Sequence, residues 1–168
     1  MWIEKKYKDD YKVCDTIGIK WNFENDIVKS LRRECIVFLK WLQKEYWFPI
    51  KVEVNLLNSS NFFENKKNSK LITTTFSYQP KWDSSDKKIF PQVYIAMGNH
   101  DKWIKKYDLK EVLYNHFNNI SHELTHYFQW FFYQFEKRTD RSLDIEANRW
   151  GHYLANNYIE EVYKGVDE

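Results

Sequence analysis

Two histidines and a glutamate in the second half of the chain form a pattern that can bind a metal ion. His122, Glu123 and His126 stand in the order His-Glu-x-x-His. On an α-helix, side chains four residues apart project from the same face, so both imidazoles can reach one cation, and Zn²⁺ is the usual occupant. Glu123 lies beside them, where it can hold and deprotonate a metal-bound water. The pattern predicts one Zn²⁺ ion with His122 and His126 as ligands and Glu123 as the general base.

A catalytic zinc site needs a third protein ligand and leaves the fourth position to water. The downstream candidates are Asp144, Glu146 and His152. Glu146 stands twenty residues after His126, which is enough for a short turn and a return on the next helix. His152 lies about 120° from Glu146 around that helix, so the two cannot readily bind the same ion. We favour Glu146. Tyr153 shares the face of Glu146 and either donates to a developing oxyanion or packs beside the metal.

The histidines belong to a helix predicted from Asp108 to about Phe135, because its apolar and polar residues fall on opposite faces. Asp108 is the expected N-cap, and Glu111 would complete a capping box. The apolar stripe contains Leu113, Phe117, Ile120, Leu124, Phe128, Phe131 and Phe135, and the polar stripe contains Asn115, Asn118, Asn119, His122, His126, Gln129 and Tyr133. The polar stripe is expected to line a cleft.

The elements around this helix are predicted from periodicity. A backing helix is expected from about residue 25 to 47, where apolar residues recur every three or four positions until Pro49. Strands are predicted at residues 51–57, 71–78 and 90–97, with a polar connection at 80–88, and a last helix at 142–163 with Ala147, Gly151 and Ala155 on its packing side. Within residues 1–21 we expect a short extended piece at Ile17-Gly18-Ile19 that packs against the body of the domain. We therefore expect an α+β fold with a small, mostly antiparallel sheet.

Composition limits the kind of partner and the compartment. A chain of 168 residues with 19% aromatic residues suits one domain, residues 1–168, with a well-filled core. The net charge of +2 is too small and too scattered to indicate a nucleic-acid partner. No apolar run approaches the length that spans a membrane, and the charged N-terminus does not look like a secretion signal. We expect a cytoplasmic location and free thiols at Cys14 and Cys35.

Two segments together carry a family resemblance. His-Glu-Leu-Thr-His at 122–126, followed by Asp-Ile-Glu-Ala-Asn-Arg-Trp at 144–150, resembles the gluzincin-type zinc metallopeptidases. The Glu-Ala-Asn segment is similar to the ImmA/IrrE-type regulatory peptidases, and the size and element order resemble the minigluzincins. The matches extend from His122 to about Tyr153.

The resemblance implies a zincin-like fold, zinc bound by two histidines and Glu146, and Glu123 as the catalytic base. It also implies that an extended substrate binds along an edge strand, for which Gln92 to Met97 is the candidate. The chain departs from the family at Trp150, where many gluzincins carry an aspartate that supports a zinc-bound histidine.

The predicted function is that of a zinc metalloendopeptidase acting on a peptide or protein substrate. Two alternatives remain open: a catalytically silent zincin-like module used for binding or regulation, and a SprT-like DNA-associated protease that would use His152. The absence of a basic domain argues against the second alternative. The sequence leaves the substrate and the oligomeric state undetermined.

Overall fold

The fold consists of a small mixed sheet and three long helices. In this computed structural model the described residues are 1–60, 63–65, 70–72, 74–77 and 90–164. The helices are α1 (Lys29–Glu45), α2 (His100–Trp103), α3 (Leu109–Phe131) and α4 (Asp140–Asn157). The strands are β1 (Ile19–Phe23), β2 (Val52–Leu57), β3 (Phe63–Asn65), β4 (Lys70–Ile72), β5 (Thr74–Ser77) and β6 (Gln92–Ala96). A 3-10 segment (Lys5–Tyr11) precedes β1, and a π-helical turn (Tyr158–Val162) follows α4.

Four of these strands form the main sheet, in the order β1-β2-β6-β5. The β1–β2 and β2–β6 pairs are parallel, and the β5–β6 pair is antiparallel. The prediction of a mostly antiparallel sheet was therefore wrong, although the α+β class is confirmed. Two of the predicted strands, β2 and β6, pair in parallel, and β1 adds a second parallel pair. The sequence indicated only a short extended piece at the start of β1, because Ile19 is its one buried residue. With β1 in place, α1 becomes a crossover between two parallel strands.

The expected edge strand is also wrong. Residues 92–96 form β6, which lies between β2 and β5 and has no free side for a substrate. The single strand predicted at 71–78 corresponds to two strands, β4 and β5, which pair in different sheets. Among the described strands, β1 and β5 occupy the two edges of the main sheet. The predicted connection at 80–88 lies outside the described residues.

Helix α3 follows the predicted amphipathic pattern closely. Its buried apolar side chains include Leu113, Phe117, Ile120, Leu124 and Phe128, each at most 1% exposed. Asp108 is the N-cap, since its carboxylate accepts a hydrogen bond from the Lys110 amide at 2.6 Å. The helix ends at Phe131, four residues earlier than predicted, and Tyr133 then adopts a positive φ of 54°. The turn to α4 therefore begins immediately after the histidine segment.

Helix α4 packs closely against α3 because small residues face the contact. A side chain at Gly151 would place its Cβ 2.5 Å from Asn118 Oδ1 and 3.0 Å from the Asn118 carbonyl oxygen. Ala147 and Ala155, one turn to either side, are fully buried. The predicted packing stripe is confirmed, and it brings the polar residues of α4 close to the histidines of α3.

The N-terminal residues, for which the sequence predicted no role, support α3 from behind. The Trp2 indole N–H donates a hydrogen bond to Thr125 Oγ1 at 3.0 Å, within the His-Glu-x-x-His segment. The Trp2 ring also packs on Phe128 at a centroid distance of 4.8 Å. This contact with the back of α3 buries an aromatic ring and constrains the segment that carries the two histidines.

Both cysteines are free thiols, as predicted. Cys35 is fully buried on α1, and burial raises the pKa of its thiol. Among the described helices, none is both long enough and apolar enough to cross a bilayer.

A buried histidine pair between α2 and α3 gives the metal-free protein a pH-dependent stability. His100 Nδ1 lies 3.2 Å from His116 Nε2, and burial lowers the pKa of His116 to about 3. An unfolded histidine has a pKa of about 6.5, so His116 takes up a proton on unfolding between these two pH values. Its stabilising contribution is complete above pH about 6.5 and declines as the pH falls toward 3.

We expect His116→Gln to flatten this pH dependence. The free energy of unfolding of the wild-type protein should fall more steeply with decreasing pH, by up to about 1.4 kcal/mol per pH unit between pH 6 and 4. Urea unfolding of both metal-free proteins at pH 7 and pH 5 measures the difference. Parallel pH profiles would show that His116 does not titrate in this way.

Candidate metal centre

The two predicted histidine ligands face each other across one turn of α3. The Nε2 atoms of His122 and His126 are 3.1 Å apart. A carboxylate of α4 completes the group, because Asp144 Oδ1 lies 3.4 Å from His126 Nε2. One ligand atom from each of the three residues falls within 4.8 Å of the other two. This is a cluster of two nitrogens and one oxygen of the kind that divalent zinc uses.

The tautomer of His126 follows from its hydrogen-bond partner. Gln129 is fully buried, and its Nε2 donates to the Leu143 carbonyl at 2.9 Å and to Glu146 Oε2 at 3.3 Å. The amide is thereby oriented with Oε1 toward His126 Nδ1, at 2.6 Å. Because Oε1 can only accept a hydrogen bond, Nδ1 of His126 carries the proton. The Nε2 atom therefore presents a lone pair to the cluster.

An amide oxygen also orients His122. Asn148 Oδ1 lies 3.1 Å from His122 Nδ1, where it accepts the N–H and leaves Nε2 free. Asn148 thus takes the supporting position that an aspartate at residue 150 has in many gluzincins. Trp150 itself packs edge-on against Tyr153. Each imidazole thus has an amide partner at Nδ1, and the two Nε2 lone pairs face one another at 3.1 Å.

Both imidazoles are neutral near pH 7. Burial lowers the pKa of His122 to about 4, and the neighbouring His126 lowers it as well. Burial also lowers the pKa of His126, although the Gln129 hydrogen bond and the Asp144 charge oppose that shift. Since only a neutral imidazole can bind a metal, the site is ready to accept a cation without first losing protons.

Glu123 lies in a buried position beside the cluster. Its side chain is 5% exposed, and Oε1 lies 3.9 Å from His122 Nε2. Burial is the main cause that raises the pKa of Glu123 to about 7. A hydrogen bond from the Thr74 side chain on β5 opposes this shift, and the Asp144 charge adds to it. A carboxylate with a pKa near the working pH can both accept and return a proton, which suits a general base.

The other predicted site residues lie elsewhere. The carboxylate of Glu146 forms an ion pair with Arg138 and accepts from Gln129, so it faces the Nδ1 side of His126. Tyr153 is 52% exposed and packs against Trp150. The structure therefore brings neither Glu146 nor Tyr153 into the cluster.

His152 is on the same face of α4 as Asp144 and Asn148, one turn further along. Its Nδ1 lies 2.5 Å from the Tyr114 hydroxyl. Its charge lowers the pKa of His122, so the ring is near the centre without belonging to the ligand group. The hydrogen-bonded pair of His152 and Tyr114 is therefore a further polar group beside the centre.

Sequence reasoning missed the two amides and underweighted Asp144. A signal for the α4 residues was present, since Asp144, Asn148 and His152 recur every four residues and share one helical face. For Gln129 the signal was its place on the polar stripe of α3, three residues after His126.

Comparisons with known proteins identified no relative of this chain. The chain matches no model of a protein family, no curated protein and no solved structure. The likeness to gluzincins therefore depends on the two short sequence segments, and the function has to be argued from the geometry of the centre.

Proposed function

We propose that this protein is a zinc-dependent peptidase in which His122, His126 and Asp144 hold the metal and Glu123 is the general base. The observation that carries the proposal is that Nε2 of His122 and Nε2 of His126 lie 3.1 Å apart next to two carboxylates. Two lone pairs held this close repel each other unless a cation lies between them. The amide partners at Nδ1 maintain the arrangement.

The donor spacing suits zinc. Ligand atoms about 2.0–2.1 Å from a tetrahedral zinc ion lie roughly 3.3 Å from one another. The separations of 3.1 Å between the histidine nitrogens and 3.4 Å between His126 and Asp144 are close to that value. The donor set of two imidazoles and one carboxylate is that of a catalytic site with one open position.

A bound zinc ion would supply the Lewis acidity that polarises a peptide carbonyl and acidifies water. Glu123 would accept the proton of the attacking water and pass it to the leaving amine, because its pKa of about 7 allows both steps. The Thr74 hydrogen bond holds the Glu123 carboxylate in place on the side of β5. The hydrogen-bonded pair of His152 and Tyr114 would supply one donor to the developing oxyanion.

The substrate would bind along β5 instead of along β6. Of the two edge strands of the described main sheet, β5 is the one that carries Thr74, which contacts Glu123. An extended peptide that adds to this edge through main-chain hydrogen bonds would pass the catalytic carboxylate. The substrate would still bind as an extended peptide at an edge strand, as expected from the sequence, but at β5 and not at β6.

A metal-reconstitution assay tests the proposal. Protein stripped of metal by a chelator, and then loaded with one equivalent of Zn²⁺, should hydrolyse quenched fluorescent peptides from a mixed-sequence library, whereas the stripped protein should not. A rise in Tm on adding Zn²⁺ without any cleavage would favour the silent binding module and overturn the enzymatic proposal. Absence of both effects would exclude a zinc site.

A further inference from the structure

A cavity of about 440 Å³ lies beside the N-terminal half of α3. It is lined by Trp103, Tyr107, Glu111, Val112, Asn115 and Asn119. The proposed catalytic centre uses none of these residues. The volume falls within the range of cavities that hold a small ligand or a large side chain.

The cavity and the histidines share one face of α3. Asn119 precedes His122 by three residues and Asn115 precedes it by seven, so both asparagines lie within roughly 60° of His122 around the helix. Along the axis the separations are about 4.5 Å and 10.5 Å. Because an extended peptide advances about 3.3 Å per residue, a side chain two to four residues from the scissile bond can reach the cavity.

The lining combines aromatic rings, one carboxylate and two carboxamides. The Trp103 ring is fixed by packing on the buried ring of His116, at a centroid distance of 5.5 Å. Among the described residues of the lining, Glu111 is the only charged one, and no ion pair between described residues involves it. Four lysines are nearby in the chain but outside the lining: Lys102, Lys105, Lys106 and Lys110.

We infer that this cavity is a specificity site for an arginine side chain of the peptide substrate. A planar guanidinium stacks on aromatic rings such as those of Trp103 and Tyr107, and it pairs with a carboxylate through two hydrogen bonds. Asparagine oxygens can accept the remaining N–H groups. The inference depends on the proposed peptidase function only for the statement that the arginine belongs to a substrate.

Binding without hydrolysis is the first test. N-acetyl-arginine amide and its uncharged analogue N-acetyl-citrulline amide are titrated into ¹⁵N-labelled protein, and the indole N–H of Trp103 is followed by NMR. Arginine should bind at least about fivefold more tightly than citrulline, and Glu111→Gln should reduce arginine binding about tenfold while leaving citrulline binding unchanged. Glu160→Gln, at an exposed carboxylate on the π-helical turn, is the matched control. Equal binding of both probes, or no effect of Glu111→Gln, would overturn the inference.

Cleavage by the zinc-loaded protein is the second test, and it separates this inference from the proposed function. Products from a peptide library should show arginine enriched at one position two to four residues from the cut bond. Glu111→Gln should lower kcat/KM about tenfold for those peptides and leave their citrulline counterparts unaffected. Cleavage without a preference for arginine would overturn the proposed specificity site and would still support the proposed peptidase function. Arginine binding without any cleavage would support a guanidinium-binding site in the cavity and would contradict the proposed peptidase function.

Discussion

The Glu123→Gln variant is expected to lose peptidase activity by about a thousandfold in kcat/KM while still binding one zinc ion per chain. Glutamine has the shape of glutamate but cannot accept a proton, and a general base of this kind contributes about 10²–10⁴ in rate. Glu123 lies outside the group of three ligand atoms, so metal content should not change. Steady-state kinetics on a single peptide, together with metal analysis of the same preparations, measures both quantities.

Loss of folding would be an alternative cause of inactivity, and the pKa of Glu123 provides a way to exclude it. Burial raises this pKa to about 7, so at pH 8 the native state holds an ionised carboxylate that burial disfavours. An acid with a higher pKa in the folded state than in the unfolded state destabilises the protein as the pH rises. For Glu123 the free energy of unfolding therefore falls between pH about 4.3, the pKa of an unfolded glutamate, and pH 7. The metal-free glutamine variant should therefore be at least as stable as wild type at pH 8. The Glu160→Gln variant should keep full activity, and full activity in Glu123→Gln would exclude the proposed role.

A pair of matched substitutions on α4 is expected to identify the third ligand. Asp144→Asn and Glu146→Gln each convert a carboxylate into a carboxamide, two residues apart on the same helix. We expect Asp144→Asn to weaken zinc binding more than about a hundredfold, because it removes a charged ligand, and Glu146→Gln to change it only about threefold. Competition with a chromophoric zinc chelator gives both affinities.

The structural reason for the small effect at Glu146 is that its partners lie outside the ligand cluster. A glutamine side chain still offers an oxygen to Gln129, and the weakened ion pair with Arg138 should cost about 1 kcal/mol of stability or less, since that pair is partly exposed. If the order of the two zinc affinities is reversed, Glu146 is the third ligand, as the sequence alone predicted. If neither substitution weakens binding, the metal is not held by α4.

Local patterns in the sequence were sufficient to predict the central helix and its two histidines. The His-Glu-x-x-His spacing and the apolar stripe of α3 arise from one helical repeat, which needs no information about neighbours. The same is true of Asp108 as the N-cap and of the small residues that let α4 approach α3. These predictions were confirmed because each depends on residues within a few positions of one another.

Local periodicity in the sequence did not predict which strands pair. Whether β5 or β6 lies at an edge depends on which distant strands pair, and β1 shows almost no alternation of buried and exposed residues. The parallel pairing of β2 with β6 and of β1 with β2 makes the sheet mixed, and the pairing of β6 with both β2 and β5 removes it from the edge.

The sequence by itself determined that one face of a helix presents two imidazoles and a neighbouring carboxylate. Only the tertiary structure decided that Asp144 approaches His126 at 3.4 Å, while Glu146 turns to Arg138. The physical reason is that residues two positions apart on a helix point about 160° away from each other. Which of them meets the histidines therefore depends on the rotation of α4 against α3, which is set where Gly151 meets Asn118.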